Sequence, residues 1–564
     1  MKKVLKTILY WAITLACIFG YYVAVSNGLT ASPYFLQLRR FAPMALFMVL
    51  AVMLLQGRVK KGFWWSFVIV AFVWATIYPV HYWMDYHTKV PFFSTHHDIA
   101  FAGYSFIGCT LLAYLLQFVF RPLFAAIFIS ILQWLMLLPC FVQAAYLWNY
   151  GAVITNPAIL AIWQTTPSEA KEYLMMTGGY IGIIAAIAAV ILVWVGLFLL
   201  NRWGMGERSE IKEDREISVK SLIAMIVLCV LACGYGFIKG LRKTCIVEMC
   251  ADVKQYFENS EAYRTNHEAN FAKLVVQPNT PKFAEPSTIM VIIGESASRS
   301  FISAYNGKYP VNTSPWLKAQ RTNPNFCFFE KVRACAGQTV PVLEKALTEK
   351  NLQNKLEFKD CVSIIDLARK AGYKTYWFSN QSRMDESATP ITLVAETANV
   401  VDWTNVDSDS WQYDEQLLKS LQLVDESRNN FVVLHLIGSH AAFENRFPET
   451  FAKPGKTLTE NYELSLQYTD ANLQKFFEFA KEKLNLQALL YFSDHGCVPK
   501  DKRRADETRD AHMEIPYVLY LGDEYRALYP GTVDRLQTKA HEAFTNDLTY
   551  DIVQEILNVT VTKQ

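Results

Sequence analysis

The sequence predicts two parts: an N-terminal α-helical transmembrane region, then a soluble α/β domain on a doubly wound, mostly parallel sheet. Three observations predict it. The 564 residues are 52% hydrophobic, yet nearly all the long apolar runs fall before residue 240. After residue 286, short β-branched or aromatic runs alternate with longer amphipathic stretches, the order that gives a parallel sheet with crossover helices. Finally, two of the short runs end on metal-binding residue types. The run 287–294 leads into Glu295, and 488–493 leads into Asp494-His495-Gly496. Ligands of an open α/β sheet gather at such carboxyl ends.

Seven apolar segments mark the first part, at 4–25, 41–56, 63–84, 101–120, 122–148, 180–200 and 219–237. Most reach the ~20 residues that cross a ~30 Å hydrocarbon core at ~1.5 Å each. The second is the shortest, and five to seven spans bracket the count. Trp64, Trp65, Trp83 and Trp148 suit interfacial belts. Flanking cations set the orientation. With the N-terminus inside, Lys2, Lys3, Lys6, Arg58, Lys60, Lys61, Arg121, Arg202, Arg208, Lys212, Arg215 and Lys220 lie on the cytoplasmic side. Only Arg39, Arg40, Lys89 and Lys171 lie on the other. An odd number of spans then places the chain after about residue 238 outside the cytoplasm.

Cysteine usage agrees with that side. Cys245, Cys250, Cys327, Cys335, Cys361 and Cys497 fall in the soluble part. An even number fits disulfides in an oxidising compartment, with Cys327–Cys335 among the short-range pairings. Net charge is +2 and pI about 7.9, so no polyanion and no nucleic acid is implied as a partner.

Domain boundaries follow: a transmembrane region over 1–237, an interfacial helix and linker over 238–286, and a catalytic domain over 287–564. In the middle segment, Val253, Tyr256, Phe257, Tyr263 and Phe271 among charges predict a helix on the membrane surface. Gln277-Pro278-Asn279-Thr280-Pro281-Lys282 reads as a linker. Then come a strand at 287–294, helices at 340–350 and 361–371, a strand at 373–379, a helix at 411–424, a strand at 431–437, a helix at 459–484, and strands at 487–493 and 515–521.

The chemistry is expected at the strand ends. Two carboxylates and an imidazole, Glu295, Asp494 and His495, suit zinc, or less well manganese, rather than calcium. A third strand end carries Gly438-Ser439-His440, and His512 precedes the last strand. Each histidine alone reads as a turn or core residue; together at one sheet edge they read as functional. The nucleophile candidate is Thr339, just before an apolar helical stretch with Pro341 in its first turn. Its plainer reading is a helix cap. At a helix N-terminus its hydroxyl also faces N–H groups that hold a phosphoryl oxygen, and a neighbouring metal lowers its pKa.

The order Gly294-Glu295-Ser296, Cys335-Ala336-Gly337-Gln338-Thr339, Gly438-Ser439-His440, Ser493-Asp494-His495-Gly496 resembles the membrane-bound phosphoethanolamine transferases of the alkaline phosphatase/sulfatase superfamily. The similarity covers about 287–525 and touches Ile154-Thr155-Asn156-Pro157, Glu169 and Glu172-Tyr173-Leu174. The resemblance implies a sulfatase-like fold and one firmly held zinc on Glu295, Thr339, Asp494 and His495. Thr339 becomes phosphorylated, and His440 and His512 line the substrate side with room for a second, weaker metal. Glu449, one residue off the family spacing, matches a further substrate-side acid. It also implies phosphatidylethanolamine as donor, lipid A or lipopolysaccharide core as acceptor, and a multi-pass bacterial inner-membrane protein with a periplasmic catalytic domain. The chain departs from the family at Ala441-Ala442, where Gly-Pro is usual, and at Cys497, where Glu is usual. The rival readings are a phosphoglycerol transferase using the same site and a membrane transporter or sensor with a non-catalytic outer domain.

Overall fold

The computed structural model describes residues 2–25, 34–80, 95–150, 153–165, 167–205, 218–278, 282–381, 389–404, 412–499 and 510–563. Lys89, Arg208, Lys212, Arg215, Trp83 and the linker residues 279–281 lie outside these. Two compact units result. One holds Met1–Ile159 and Thr177–Val253; the other holds Leu160–Met176 and Lys254–Gln564.

Among the described residues of the first unit, six helices are long and apolar enough to cross a membrane: Val4–Val25, Leu38–Leu55, His96–Val119, Pro122–Asn149, Gly178–Met205 and Val219–Lys243. The run read at 63–84 gives a shorter apolar helix within Lys61–Thr76. These helices turn large apolar side chains outward, among them Ile181, Leu192 and Val230. A water-soluble bundle would bury such a surface. Inside, close approach needs small residues. A Cβ on Gly108 would meet Cys233 Sγ at 2.9 Å, and one on Gly236 would meet Tyr104 Cβ at 2.9 Å. Buried polar groups satisfy one another across three helices. Ser66 donates to Asn201 at 2.6 Å, Asn201 to Gln133 at 2.8 Å, and Gln133 back to Ser66 at 3.2 Å.

The second unit is built on seven strands: β1 (Thr288–Gly294), β2 (Phe326–Phe328), β3 (Lys374–Ser379), β4 (Val400–Trp403), β5 (Asn430–His435), β6 (Leu486–Ser493) and β7 (Tyr517–Leu521). Their order across the sheet is β2-β7-β6-β1-β5-β3-β4. β1 pairs in parallel with β5 and with β6, and β3 in parallel with β5 and β4. β7 runs antiparallel to both β6 and β2. The sheet is therefore mostly parallel, as the alternating pattern predicts. Successive side chains go to opposite faces, and both faces are covered. Ile289, Val291, Val433 and Phe492 face one core, while Met290, Ile292, Leu434 and Tyr491 face the other.

Three helices bear on the site: α1 (Cys245–Lys273), α2 (Thr339–Ala346) and α3 (Leu458–Lys483). α2 packs Val342, Leu343 and Ala346 against the first face; α3 packs Tyr462, Leu466 and Phe476 against the second. Within the soluble unit α1 buries Tyr263, which stacks on Phe358 with centroids 4.4 Å apart.

Several expectations change. β2 and β4 fall outside the sequence pattern: three residues after Asn323-Pro324-Asn325, and a half-buried edge strand of four, are too short to show a period. The helix read at 411–424 narrows to Leu417–Leu421 behind a 3-10 turn, with 405–411 outside the described residues. The disulfide expectation gains no support among the described residues. Some cysteines have local partners: Cys361 Sγ donates to the Glu357 carbonyl at 3.2 Å and Cys245 Sγ to Asp98 at 2.9 Å. An even count of cysteines constrains pairing only where geometry brings them together.

Candidate active site

β1 lies in the middle of the sheet, between its parallel neighbours β5 and β6, so the carboxyl ends of all three open at one edge, where ligands of such sheets gather. Three loops leave there together, carrying Glu295, Gly438-Ser439-His440 and Asp494-His495.

Glu295 follows β1 directly and is 2% exposed. Ser296 behind it is left-handed, with φ 57°, a strained conformation for a residue with a Cβ. The turn aims two groups. Ser296 N–H donates to Asp494 Oδ1 at 2.9 Å, and its hydroxyl donates to Glu295 Oε1 at 2.5 Å. His495 N–H reaches the same Asp494 Oδ1 at 2.7 Å. Asp494 Oδ1 is thus saturated by backbone, while Oδ2 is buried with no hydrogen-bond donor. His495 Nδ1 lies 2.9 Å from the Gly496 carbonyl, which can only accept, so the proton sits on Nδ1. The bare Nε2 then faces Asp494 Oδ2 at 3.3 Å and Glu295 Oε1 at 3.7 Å.

The ligand atoms of Glu295, Asp494 and His495 all lie within 4.8 Å of one another. Thr339 Oγ1 joins them, donating to Glu295 Oε2 at 3.0 Å. Two buried carboxylates facing one another and an imidazole lone pair repel unless a cation sits between them. The donor set, two carboxylate oxygens, an imidazole nitrogen and a hydroxyl, fits a four-coordinate zinc. The orphaned Asp494 Oδ2 is the atom that most needs one.

Thr339 is the first residue of α2 rather than its cap; Gln338 holds the capping position in extended conformation. That places its hydroxyl, half-buried and reachable, beside first-turn N–H groups with no intrahelical acceptor. Two glycines are obligatory here. Gly438, at φ 50°, would bring a Cβ within 2.9 Å of the Glu295 backbone. Gly496 would bring one within 2.3 Å of the Ala511 carbonyl, and its N–H donates to His512 O at 2.7 Å.

The remaining candidates divide. His440 is half-buried on the loop whose Ser439 N–H donates to Glu295 O at 3.0 Å. His512 is buried in a short helix, Asp510–Met513, against Gly496. Glu449 is exposed, beyond the buried Phe447. Three supporting residues carry no sequence signal. Asn546, fully buried, accepts from Cys335 N–H at 2.9 Å and donates to Asp494 O at 2.7 Å, tying the loop before Thr339 to the end of β6. Asp414 accepts from Ile437 N–H at 2.8 Å and Gly438 N–H at 2.9 Å. His435, the last residue of β5, is buried with Nε2 unpartnered.

The sulfatase family model matches residues 287–560, the stretch that holds this whole cluster. The chain carries a sulfatase domain there. The phosphoethanolamine transferase EptC of Escherichia coli is 26% identical over 429 residues, 68% of this chain and 72% of that protein. OpgE of the same organism, also a phosphoethanolamine transferase, is 26% identical over 400 residues, 66% of this chain and 72% of that one. The solved integral membrane protein lipooligosaccharide phosphoethanolamine transferase A from Neisseria meningitidis aligns over 88% of this chain and 95% of its own, with TM-score 0.56 and 15% identity. That likeness carries the fold: apolar helices followed by the α/β sheet domain. The four-residue cluster is therefore set in a sulfatase domain whose fold is shared with that solved membrane protein.

Proposed function

We propose that the protein transfers phosphoethanolamine from phosphatidylethanolamine to a lipid A or lipopolysaccharide core acceptor, through a phosphorylated Thr339. The observation that carries this is Thr339 Oγ1 at 3.0 Å from Glu295 within the Glu295, Asp494, His495 cluster. The names of the relatives supply the transferred group. In this reading residues 1–237 anchor the protein in a bacterial inner membrane, 238–286 connect, and 287–564 act in the periplasm.

Glu295, Thr339, Asp494 and His495 would hold the zinc, whose charge would lower the pKa of the Thr339 hydroxyl and draw charge from the phosphoryl oxygens. Glu295 Oε2 already accepts the hydroxyl proton of Thr339. Thr339 Oγ1 attacks phosphorus, forming the Thr339–phosphorus bond as the bond to the diacylglycerol oxygen breaks. His440 or His512 gives that oxygen a proton. The first turn of α2 directs N–H groups at the transferred phosphoryl oxygens. An acceptor hydroxyl or phosphate oxygen then attacks the same phosphorus and frees Thr339. Confinement of both lipids to one surface raises their effective concentration.

Mass spectrometry of protein trapped after mixing with phosphatidylethanolamine should find one phosphoethanolamine on the Thr339 peptide, and Thr339→Ala should leave none. An adduct on another peptide would remove Thr339 from the role. A phosphoglycerol adduct, formed only with phosphatidylglycerol, would replace the donor.

A further inference from the structure

The loop carrying His440 is fixed at both ends by buried charge, and one of the two anchors comes from far away in sequence. At its start Asp414, 2% exposed, takes the N–H groups of Ile437 and Gly438. At its end stands Arg446, whose side chain is 1% exposed. Arg446 Nε donates to Ala442 O at 3.2 Å, and Nη2 donates to Glu172 Oε2 at 2.9 Å. Glu172 Oε1 accepts from Asn445 Nδ2 at 2.7 Å. One carboxylate therefore holds both residues that close the loop. Burial pushes the Asp414 carboxyl up, while hydrogen bonds from Asn380 and from Ile437 and Gly438 N–H, and then the Arg446 charge, oppose that.

Glu172 lies in Leu160–Met176, a stretch that sits between candidate spans in sequence yet packs as part of the catalytic unit. Nothing in the phosphotransfer chemistry uses it directly. A buried guanidinium without its carboxylate is costly, so the loop cannot keep its shape once Glu172 is gone.

We propose that Glu172 is a positioning residue for His440: by capturing Arg446 and Asn445 it sets the loop that brings His440 to the phosphodiester. The role rests on the phosphotransfer reading above. Two measurements on the full chain in detergent test it. In hydrogen–deuterium exchange, Glu172→Ala should speed exchange across 437–446 by about tenfold or more, with 288–294 and 486–493 unchanged. Glu172→Gln, which keeps the shape and one acceptor, should give an intermediate effect. In kinetics with phosphatidylethanolamine, Glu172→Ala should lower kcat about tenfold with little change in KM, and should cost nothing further in a His440→Ala background. Unchanged exchange across 437–446 would overturn the proposal. So would losses that multiply in the double variant, or equal loosening of 288–294, which would make Glu172 a general stabiliser. A wild-type protein that ignores phosphatidylethanolamine while Glu172→Ala still loosens only 437–446 would remove the donor and keep the positioning.

Discussion

Asp494 shows how a single residue can report a missing charge. Its Oδ1 is held by two backbone N–H groups, so the side chain has no freedom to seek another partner for Oδ2. Replacing it by Ala should lower zinc affinity at least tenfold, because a rigid ligand is lost while His495 and Glu295 stay in place. Elemental analysis after dialysis against a chelator, which should find about one zinc per wild-type chain before stripping, checks this. His435 makes a second, pH-dependent prediction. Burial pushes its imidazole down to about 4, against a smaller upward pull from Glu295. The unfolded chain therefore binds a proton below about 6.5 that the folded chain refuses until about 4. Stability should be full above that window and fall as pH drops through it, by about 3 kcal/mol in all for this fully buried group. In His435→Asn the melting midpoint of the soluble unit should lose that part of its acid dependence; an unchanged slope would refute the assignment. The residues at strand ends were legible because an apolar run stopping at Gly-Glu or Asp-His sets ionisable groups at the edge of a buried sheet, where only a ligand or a reaction repays their desolvation. Asn546, Asp414 and Arg446 were not, since a buried polar residue that works through partners 20 to 270 positions away leaves no period or spacing. Glu449, one residue off the family spacing, stands exposed on its loop.

Among the elements, α2 has the most direct bearing on the chemistry. It has two turns, starts on the nucleophile, and is gripped from its far end. Glu344, 3% exposed, accepts hydrogen bonds from Tyr256 of α1 and from Lys350. Burial and the Glu344 carboxylate push the Tyr256 phenol well above its usual range, so it remains a donor. Tyr256→Phe should destabilise the soluble unit by about 1–3 kcal/mol, the cost of leaving a buried acceptor short of a donor. It should also slow single-turnover labelling of Thr339, because α2 is then free to shift against β1. Labelling at the wild-type rate despite the lowered melting midpoint would confine Tyr256 to stability. The sheet itself was largely readable: five of its strands are continuous apolar runs buried on both faces, a pattern with period and length. Its edges were not, since three or four residues fall below any periodic signal.

For the whole molecule, the parity of the spans decides the compartment of the catalytic unit. Among the described residues six helices qualify as spans by length and composition, and Lys61–Thr76 is a shorter apolar one. If all seven cross, a cytoplasmic N-terminus puts the catalytic unit outside, as the surplus of Lys and Arg on alternate flanks demands. If the short helix fails to cross, the site would share a compartment with the N-terminus, where neither lipid A nor the outer-leaflet donor is reachable. The exposure of Cys250 makes this measurable. Cys250 is exposed on α1, while Cys245, Cys361 and Cys497 are buried. A membrane-impermeant maleimide added to spheroplasts should label the protein, and Cys250→Ser should remove most of the label. Labelling that appears only after the inner membrane is broken would put the unit in the cytoplasm, and with it would go the donor, the acceptor and the transfer between them.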